Sequence, residues 1–193
     1  MENNVKVIYE NHTLRKFDFS SIITDQDNQD IMTISKSIID SGNYFENSPK
    51  FQTKENLFAR TEPIWLKMRM SFMFACFMYL GQEVKIKGIN SWVFMTSTKH
   101  KEDREKLWHE HHYDRSVGKL SGIFYVHIPA NVTDYAFAGT EFSPEWPEIE
   151  NNFFVYPEKF NWLIYPSSIW HRPGPVMSDE NRFILAADME YFY

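Results

Sequence analysis

The sequence predicts a mainly β fold, a sandwich or barrel of short strands supported by N-terminal helices. Before residue 82, apolar residues recur at helical spacing. From residue 83 onward, short apolar runs alternate with a period of two, and Pro-containing turns separate them. Aromatic residues make up 17% of the 193 residues, which argues against disorder and supplies large side chains for a core.

Two helices and one edge strand are predicted in the N-terminal part. Residues 5–9 read as an edge strand, and 25–40 as a helix with isoleucines at helical spacing. Residues 43–60 are polar and predict a loop. A second helix is expected over about 63–80, between a proline suited to a first turn and a glycine suited to an end. Its uncharged run of about eleven residues is too short to span a bilayer, so we expect a buried helix.

The remaining elements are short strands. A clean alternation over 83–87 ends at Gly88, and a further strand follows over 91–95. Residues 98–106 are highly charged and predict a solvated loop. Further strands are expected over 120–128, 153–156, 160–165 and 183–189. We predict one domain over residues 1–193, with helical support over about 20–82 and a β core over about 83–193.

Composition excludes several classes of function. The net charge is −6 and there is no run of Lys or Arg, so we expect no nucleic-acid partner. We also expect no membrane association. Cys76 is the single cysteine, so no intrachain disulfide can form, which fits a reducing cytoplasm. The acidic, polar start of the chain is unlike a signal peptide.

Side chains that can bind a metal ion or transfer a proton are most concentrated in residues 109–114, His-Glu-His-His-Tyr-Asp. In an extended segment, residues i and i+2 point the same way, so His112 and Asp114 can offer a nitrogen and an oxygen to one metal ion. His171 is the best candidate for a third ligand. Two histidines and one carboxylate form the facial triad of non-haem Fe(II) oxygenases.

A rival pair lies in the same six residues. His109 and His111 are also at i and i+2. They could bind zinc together with His171, or they could hydrogen-bond to the metal ligands without touching the metal. We prefer His112 and Asp114 because they supply the hard oxygen ligand that Fe(II) uses.

The order of these groups resembles that of the Fe(II)- and 2-oxoglutarate-dependent oxygenases. His112-x-Asp114 is followed by a strand containing Tyr125-Val126, then by His171 and, eleven residues later, by Arg182. Residues 138–142, Ala-Gly-Thr-Glu-Phe, resemble the Gly-rich Glu-Thr turn of the prolyl-4-hydroxylase-like branch. The resemblance covers roughly residues 90–193. It implies a double-stranded β-helix, also called a jelly roll.

The resemblance also implies cofactors and roles. Fe(II), the co-substrate 2-oxoglutarate and O2 are expected, with ascorbate as a further candidate, and the products would include succinate and CO2. Arg182 would bind the distal carboxylate of 2-oxoglutarate. The family often has a hydroxyl residue two positions after this Arg, where this chain has Ile184. Tyr125, or failing that Tyr165, would supply the missing hydrogen bond. The presence of Asp114 predicts hydroxylation or a related oxidation, since halogenating relatives lack the carboxylate.

Two other classes of function stay open. One is a cupin-type metal-dependent hydrolase or isomerase that needs no 2-oxoglutarate. The other is a non-catalytic jelly-roll binding or structural protein, which leaves His112, Asp114 and Arg182 without a role. The substrate, a peptide prolyl residue or a small molecule, cannot be read from these motifs.

Overall fold

The computed structural model describes residues 13–45, 51–96, 108–111, 117–132, 138–145, 148, 151–176 and 178–192, together with the backbone of 6–10. Two α-helices lie in this part of the chain, α1 (Asp25–Asp40) and α2 (Pro63–Leu80), with a short 3-10 helix at Leu57–Ala59. The strands are β1 (Lys6–Glu10), β2 (Arg15–Asp18), β3 (Tyr44–Phe45), β4 (Phe51–Thr53), β5 (Lys85–Thr96), β6 (Gly118–His127), β7 (Thr140–Ser143), β8 (Phe153–Val155), β9 (Asn161–Pro166), β10 (Trp170–Pro173) and β11 (Arg182–Phe192).

Both predicted helices are confirmed, and local signals account for their ends. Helix α1 begins after Thr24, whose side chain accepts a hydrogen bond from the backbone of Asp27 while the Asp27 carboxylate accepts one from the backbone of Thr24. Helix α2 starts with Pro63 at its first position and ends at Gly81, which has φ of 71°. No helix in the described ranges is long and apolar enough to cross a bilayer.

The strands form a large and a small sheet. The large sheet has the order β1-β2-β9-β6-β11-β5-β4-β3, and the small sheet has the order β10-β7-β8. Strand β11 lies at the centre of the large sheet and pairs antiparallel with both β5 and β6. The predicted edge strand near residue 5 is confirmed as β1.

Two hydrophobic layers hold these elements together. One packs the helices against the large sheet, where Phe72 of α2 contacts Trp162 of β9 at a ring-centroid distance of 4.9 Å. The Trp162 indole also donates to the Ser71 hydroxyl at 2.9 Å. The other layer lies between the sheets and includes Phe142 of the small sheet and Ile184 of the large one. The helices therefore cover the outer face of the large sheet, and its inner face turns toward the small sheet.

Some sequence predictions are wrong in detail. Strand β5 is continuous through Gly88, and the predicted break is only a register irregularity opposite Glu190 and Tyr191 of β11. Residues 43–60 contain β3, β4 and the 3-10 helix where we predicted a loop. Edge strands this short pair mainly through their backbones and need little apolar alternation. The predicted charged loop at 98–106 lies outside the described residues.

Candidate active site

A pocket of about 430 Å³ opens between the two sheets. Strand β11 supplies Arg182 and Ile184 to its wall, β7 supplies Thr140, and β10 supplies His171. His109 and His111 complete a cluster of three histidines on this wall. The pocket therefore contains both the proposed co-substrate anchor and a possible metal centre.

The three histidines are close enough to share one metal ion. His109, His111 and His171 each offer one ring nitrogen, and these nitrogens all lie within 4.8 Å of one another. The ring of His171 lies 4.3 Å from that of His109 and 5.2 Å from that of His111, between ring centroids. His171 is 4% exposed. Imidazole donors in this arrangement suit Fe, Zn, Cu and Ni.

Backbone pairing brings these distant segments together. His109 and His171 form an antiparallel bridge, in which each backbone N–H donates to the carbonyl of the other at 3.1 and 3.0 Å. The backbone N–H of His111 donates to the carbonyl of Ser167 at 3.0 Å. The histidine segment is thus tied to β10 and to the turn before it. The i, i+2 spacing then directs both side chains to the same side.

The ring of His111 is oriented by a buried carboxylate. Its Nδ1 lies 2.7 Å from Oδ1 of Asp188 and 3.0 Å from the Ser121 hydroxyl. A carboxylate only accepts hydrogen bonds, so Nδ1 carries the proton, and the lone pair of Nε2 is left to bind a metal ion. Ser121 donates to the same Oδ1 at 2.7 Å, and the Ser167 hydroxyl lies 2.8 Å from that of Ser121.

A lysine neutralises the charge of this carboxylate. Lys119 Nζ lies 3.0 Å from Oδ2 of Asp188, and both side chains are largely buried. Burial alone would raise the pKa of the Asp188 carboxyl, but the contacts with His111, Lys119 and Ser121 bring it below its usual value. Asp188 is therefore a carboxylate at neutral pH, as its role of acceptor requires.

His171 is fixed in a similar way by a carbonyl. Its Nδ1 lies 3.0 Å from the carbonyl of Ile169, so Nδ1 is the protonated nitrogen and Nε2 points toward the pocket. The Tyr165 hydroxyl lies 3.1 Å from this Nε2. Burial raises the pKa of Tyr165 well above its usual range, so the phenol stays neutral. Its O–H donates to His171 Nε2, and a bound metal ion would take the place of this hydrogen bond.

A buried ion pair packs beside the backbone segments that carry two of the histidines. Arg172 Nε donates to Glu141 Oε2 at 2.7 Å, and the Arg172 guanidinium lies 4.4 Å from the centroid of the Trp108 ring. Trp108 and Arg172 each adjoin a histidine of the cluster in sequence. Packing between them therefore fixes the two strand segments that carry His109 and His171.

Arg182 is a buried cation without a carboxylate partner among the described residues. It is 1% exposed, and its Nη1 donates to the carbonyls of Ala138 at 2.5 Å and Gly139 at 3.3 Å. Its Nε has no hydrogen-bond partner in the described part of the chain. Burial lowers the pKa of Arg182 to about 10, so the side chain is still charged at neutral pH. A buried charge in this state is costly unless a ligand compensates it.

The turn that receives Arg182 requires its glycine. A Cβ on Gly139 would lie 2.0 Å from the carbonyl oxygen of Val155, which no side chain could avoid without moving the backbone. The Gly139 carbonyl also accepts from the backbone of Gly174 at 2.8 Å. Beside this turn, the Tyr125 hydroxyl lies 2.7 Å from that of Thr140, which lines the pocket.

The predicted site residues have different outcomes. His171 and Arg182 lie in one pocket, and Tyr125 is buried beside the turn that holds Arg182. Their roles as ligand, anchor and assisting hydroxyl stay predictions. His112 and Asp114 lie outside the described residues, so their ligand assignment also stays a prediction. The rival pair, His109 and His111, is the one that the described residues place beside His171.

Sequence reasoning missed three polar groups that support the site: Ser121, Ser167 and Asp188. A signal for Asp188 was present, because an acidic residue in an apolar strand must be paired if it is buried. It also stands six residues after Arg182, an even spacing that puts both on one face of β11. The hydroxyl residues gave no comparable signal.

Comparison with known proteins supports the fold. No protein-family model matches the sequence, and no curated protein matches it. The non-heme alpha ketoglutarate dependent carbocyclase SnoK of nogalamycin biosynthesis superposes with a TM-score of 0.68 at 7% identity, over 93% of this chain and 79% of its own. A Pseudomonas putida prolyl-4-hydroxylase gives 0.60 at 9% identity, over 94% of both chains. HygX from Streptomyces hygroscopicus, with nickel and 2-oxoglutarate bound, gives 0.61 at 6% identity, over 94% of this chain and 84% of its own. The predicted jelly roll is therefore confirmed.

Proposed function

We propose that this chain is a non-haem Fe(II)- and 2-oxoglutarate-dependent oxygenase. The observation that carries the proposal is Arg182, a buried guanidinium without a carboxylate partner among the described residues, in the same pocket as three converging histidines. A metal centre and an anion anchor in one pocket are what a carboxylate co-substrate that also chelates iron requires. The shared fold is consistent with this.

The residues of the pocket fit a metal ion. His109, His111 and His171 would hold it, and two of the three present Nε2 because Nδ1 is engaged elsewhere. Three protein ligands leave positions open for a co-substrate and oxygen. Fe(II) with 2-oxoglutarate and O2 would supply the oxidising chemistry there and release succinate and CO2.

Arg182 would hold the far carboxylate of the co-substrate. Its Nη1 is already committed to the carbonyls of Ala138 and Gly139, so the guanidinium is fixed in orientation. The described residues provide no acceptor for its Nε, so the guanidinium retains a donor with which to pair a carboxylate. The Thr140 hydroxyl, next to that turn and in contact with Tyr125, is placed to add a further hydrogen bond.

The pocket walls would keep water from the reacting atoms. Phe94, Ile123 and Ile184 line the same pocket as the anchor and the histidines. Apolar walls strengthen the pairing between Arg182 and a bound anion, because charges interact more strongly where water is excluded. The substrate class, a peptide prolyl residue or a small molecule, stays open.

A second candidate function is favoured by the donor set itself. Three imidazoles are also a common set for zinc, as in cupin-type or hydrolytic sites without 2-oxoglutarate. In that case Arg182 would be left as a buried cation that serves no ligand, which is the reason we prefer the oxygenase.

The test is an anaerobic titration of the Fe(II)-loaded protein with 2-oxoglutarate. We expect a metal-to-ligand charge-transfer band in the visible range, and succinate formation once oxygen is admitted. Metal binding with neither a band nor stabilisation by 2-oxoglutarate would contradict the oxygenase and support the second candidate.

A further inference from the structure

We propose that Asp188 is a positioning residue that makes His111 a metal ligand, so that the centre is an all-nitrogen site with its carboxylate one step removed from the metal. The inference deepens the proposed function and rests on its metal site. It differs from the facial triad, in which a carboxylate binds the metal directly. Here the carboxylate would act on the metal through an imidazole.

The geometry around His111 assigns this role to Asp188. Asp188 Oδ1 accepts from His111 Nδ1 at 2.7 Å, which fixes the tautomer and leaves Nε2 as the nitrogen available to a metal ion. The Asp188 carboxylate does not belong to the cluster of converging donor atoms, which consists of imidazole nitrogens alone within the described part of the chain. Its position behind His111 is that of the outer carboxylate in a carboxylate–histidine–metal arrangement.

The contacts that the described residues make with this carboxylate hold it in that role. Ser121 donates to the oxygen that His111 also uses, at 2.7 Å, while Lys119 lies 3.0 Å from the other oxygen. The two oxygens are therefore assigned to different partners, and rotation of the carboxylate would gain nothing. Asp188 is 9% exposed, so water does not compete effectively for these positions.

An amide cannot replace the Asp188 carboxylate in this position. In Asp188→Asn, an amide nitrogen at the Oδ2 position would face the Lys119 ammonium, donor against donor. With the amide turned over, its NH2 group would face His111 Nδ1 and the Ser121 hydroxyl. Nδ1 would then have to accept, which moves the proton to Nε2 and blocks the metal-binding nitrogen. Either orientation conflicts with a neighbour.

The test is a titration with Co(II) alone, followed by visible absorption, on wild type, Asp188→Asn and a matched control. The control is Glu190→Gln, which also removes one negative charge from β11 but pairs with Lys87, away from the histidines. Loss of such an outer carboxylate typically weakens metal affinity by about 10- to 100-fold. We expect that loss for Asp188→Asn and wild-type affinity for Glu190→Gln. Equal affinity in wild type and Asp188→Asn would overturn the proposal.

A second measurement needs no variant to fold. Long-range ¹⁵N–¹H correlation in wild type, without metal and with the imidazole neutral, reports which nitrogen of His111 carries the proton. We expect Nδ1; a proton mainly on Nε2 would overturn the proposal. These outcomes are separate from the proposed function: a protein that binds Co(II) in an Asp188-dependent way but never binds 2-oxoglutarate keeps this inference and loses the oxygenase.

Discussion

Replacing Arg182 by alanine tests the co-substrate anchor most directly. The change removes the one buried cation that lines the described part of the pocket, and it leaves the three histidines in place. Burial lowers the pKa of Arg182 from 12.5 to about 10, and a fall of this size corresponds to about 3 kcal/mol against the charged form. A bound carboxylate would offset that penalty, so the pairing should be strong.

The expected loss can be stated as an affinity and as a melting temperature. Truncating one partner of a buried charge pair typically costs about 2–5 kcal/mol, which is at least roughly 30-fold in affinity. With 2-oxoglutarate at 100 times its Kd, wild type should gain about 2.7 kcal/mol, or roughly 5–11 °C in Tm for a chain of this length. At the same concentration Arg182→Ala should gain less than about 0.9 kcal/mol.

The assay is thermal unfolding with and without 2-oxoglutarate, in parallel with the charge-transfer titration. Arg182→Lys should recover only part of the loss, because an ammonium cannot form the planar pair. The control is Arg60→Ala, since Arg60 pairs with Glu55 and Glu62 outside the pocket. Co(II) affinity should stay near normal in every variant. A wild-type Tm that does not respond to 2-oxoglutarate would refute the reasoning. So would a Tm increase in Arg182→Ala that equals the increase in wild type.

Three further predictions address the ligands, the hydroxyl pair and the helical support. His111→Ala should lose bound iron and succinate formation, while Asp114→Ala keeps both. Iron stoichiometry measures this, and the reverse result would restore the assignment of His112 and Asp114 as ligands. Tyr125→Phe and Thr140→Val should each weaken 2-oxoglutarate binding by about 0.5–1.5 kcal/mol, with Co(II) affinity unchanged; no effect in either would remove this pair from the co-substrate site. Asp27→Asn should lower the free energy of unfolding by about 0.5–2 kcal/mol, because it breaks the capping box of α1 and the contact with Lys67.

The last of these predictions has a defined pH dependence. Burial alone would raise the pKa of Asp27, but Lys67 and Thr24 bring it below its usual value of 3.8. A lowered pKa means that the unfolded chain binds the proton more readily, so the stabilisation is present above pH 3.8 and is lost as pH falls through the folded value. Urea unfolding should therefore show the gap between wild type and Asp27→Asn closing in acid. A gap that is constant with pH would assign the effect to packing.

Local signals explain why the helices and the central strands could be predicted. Helix α2 has its first-turn proline and its terminal glycine in the sequence, and β11 is an apolar run that begins at Arg182. Strands β3 and β4 could not be predicted, because edge pairing depends on a neighbour that is distant in sequence. The same holds for β2, whose partner β9 lies about 145 residues later by the pairing of Phe17 with Trp162.

The metal ligands show the same limit more sharply. The six residues from His109 to Asp114 contain three pairs of ligand-type residues at i, i+2, including the two compared above, and all three satisfy the spacing rule. Which pair faces His171 depends on the register between this segment and β10, set by backbone bonds from His109 to His171 and from His111 to Ser167. Nothing local encodes that register. Sequence reasoning could therefore place the metal stretch, the distal histidine and Arg182 together, but could not choose between the pairs.

The placement of Arg182 and Asp188 on one strand constrains how this pocket could change in evolution. They stand six residues apart on β11, a separation of about 20 Å, and the register with β5 and β6 fixes their facing. Deleting one residue between them would turn one of the two side chains toward the helices. Only insertions or deletions of two residues, about 7 Å of strand each, keep both side chains on the face that turns toward the small sheet. Insertions and deletions in β11 therefore cannot adjust the pocket to a slightly longer or shorter diacid. If Arg182 anchors 2-oxoglutarate as proposed, a lineage with another co-substrate would have to substitute position 182 or its turn at Ala138–Thr140, and such substitutions are the place to look for altered co-substrate choice.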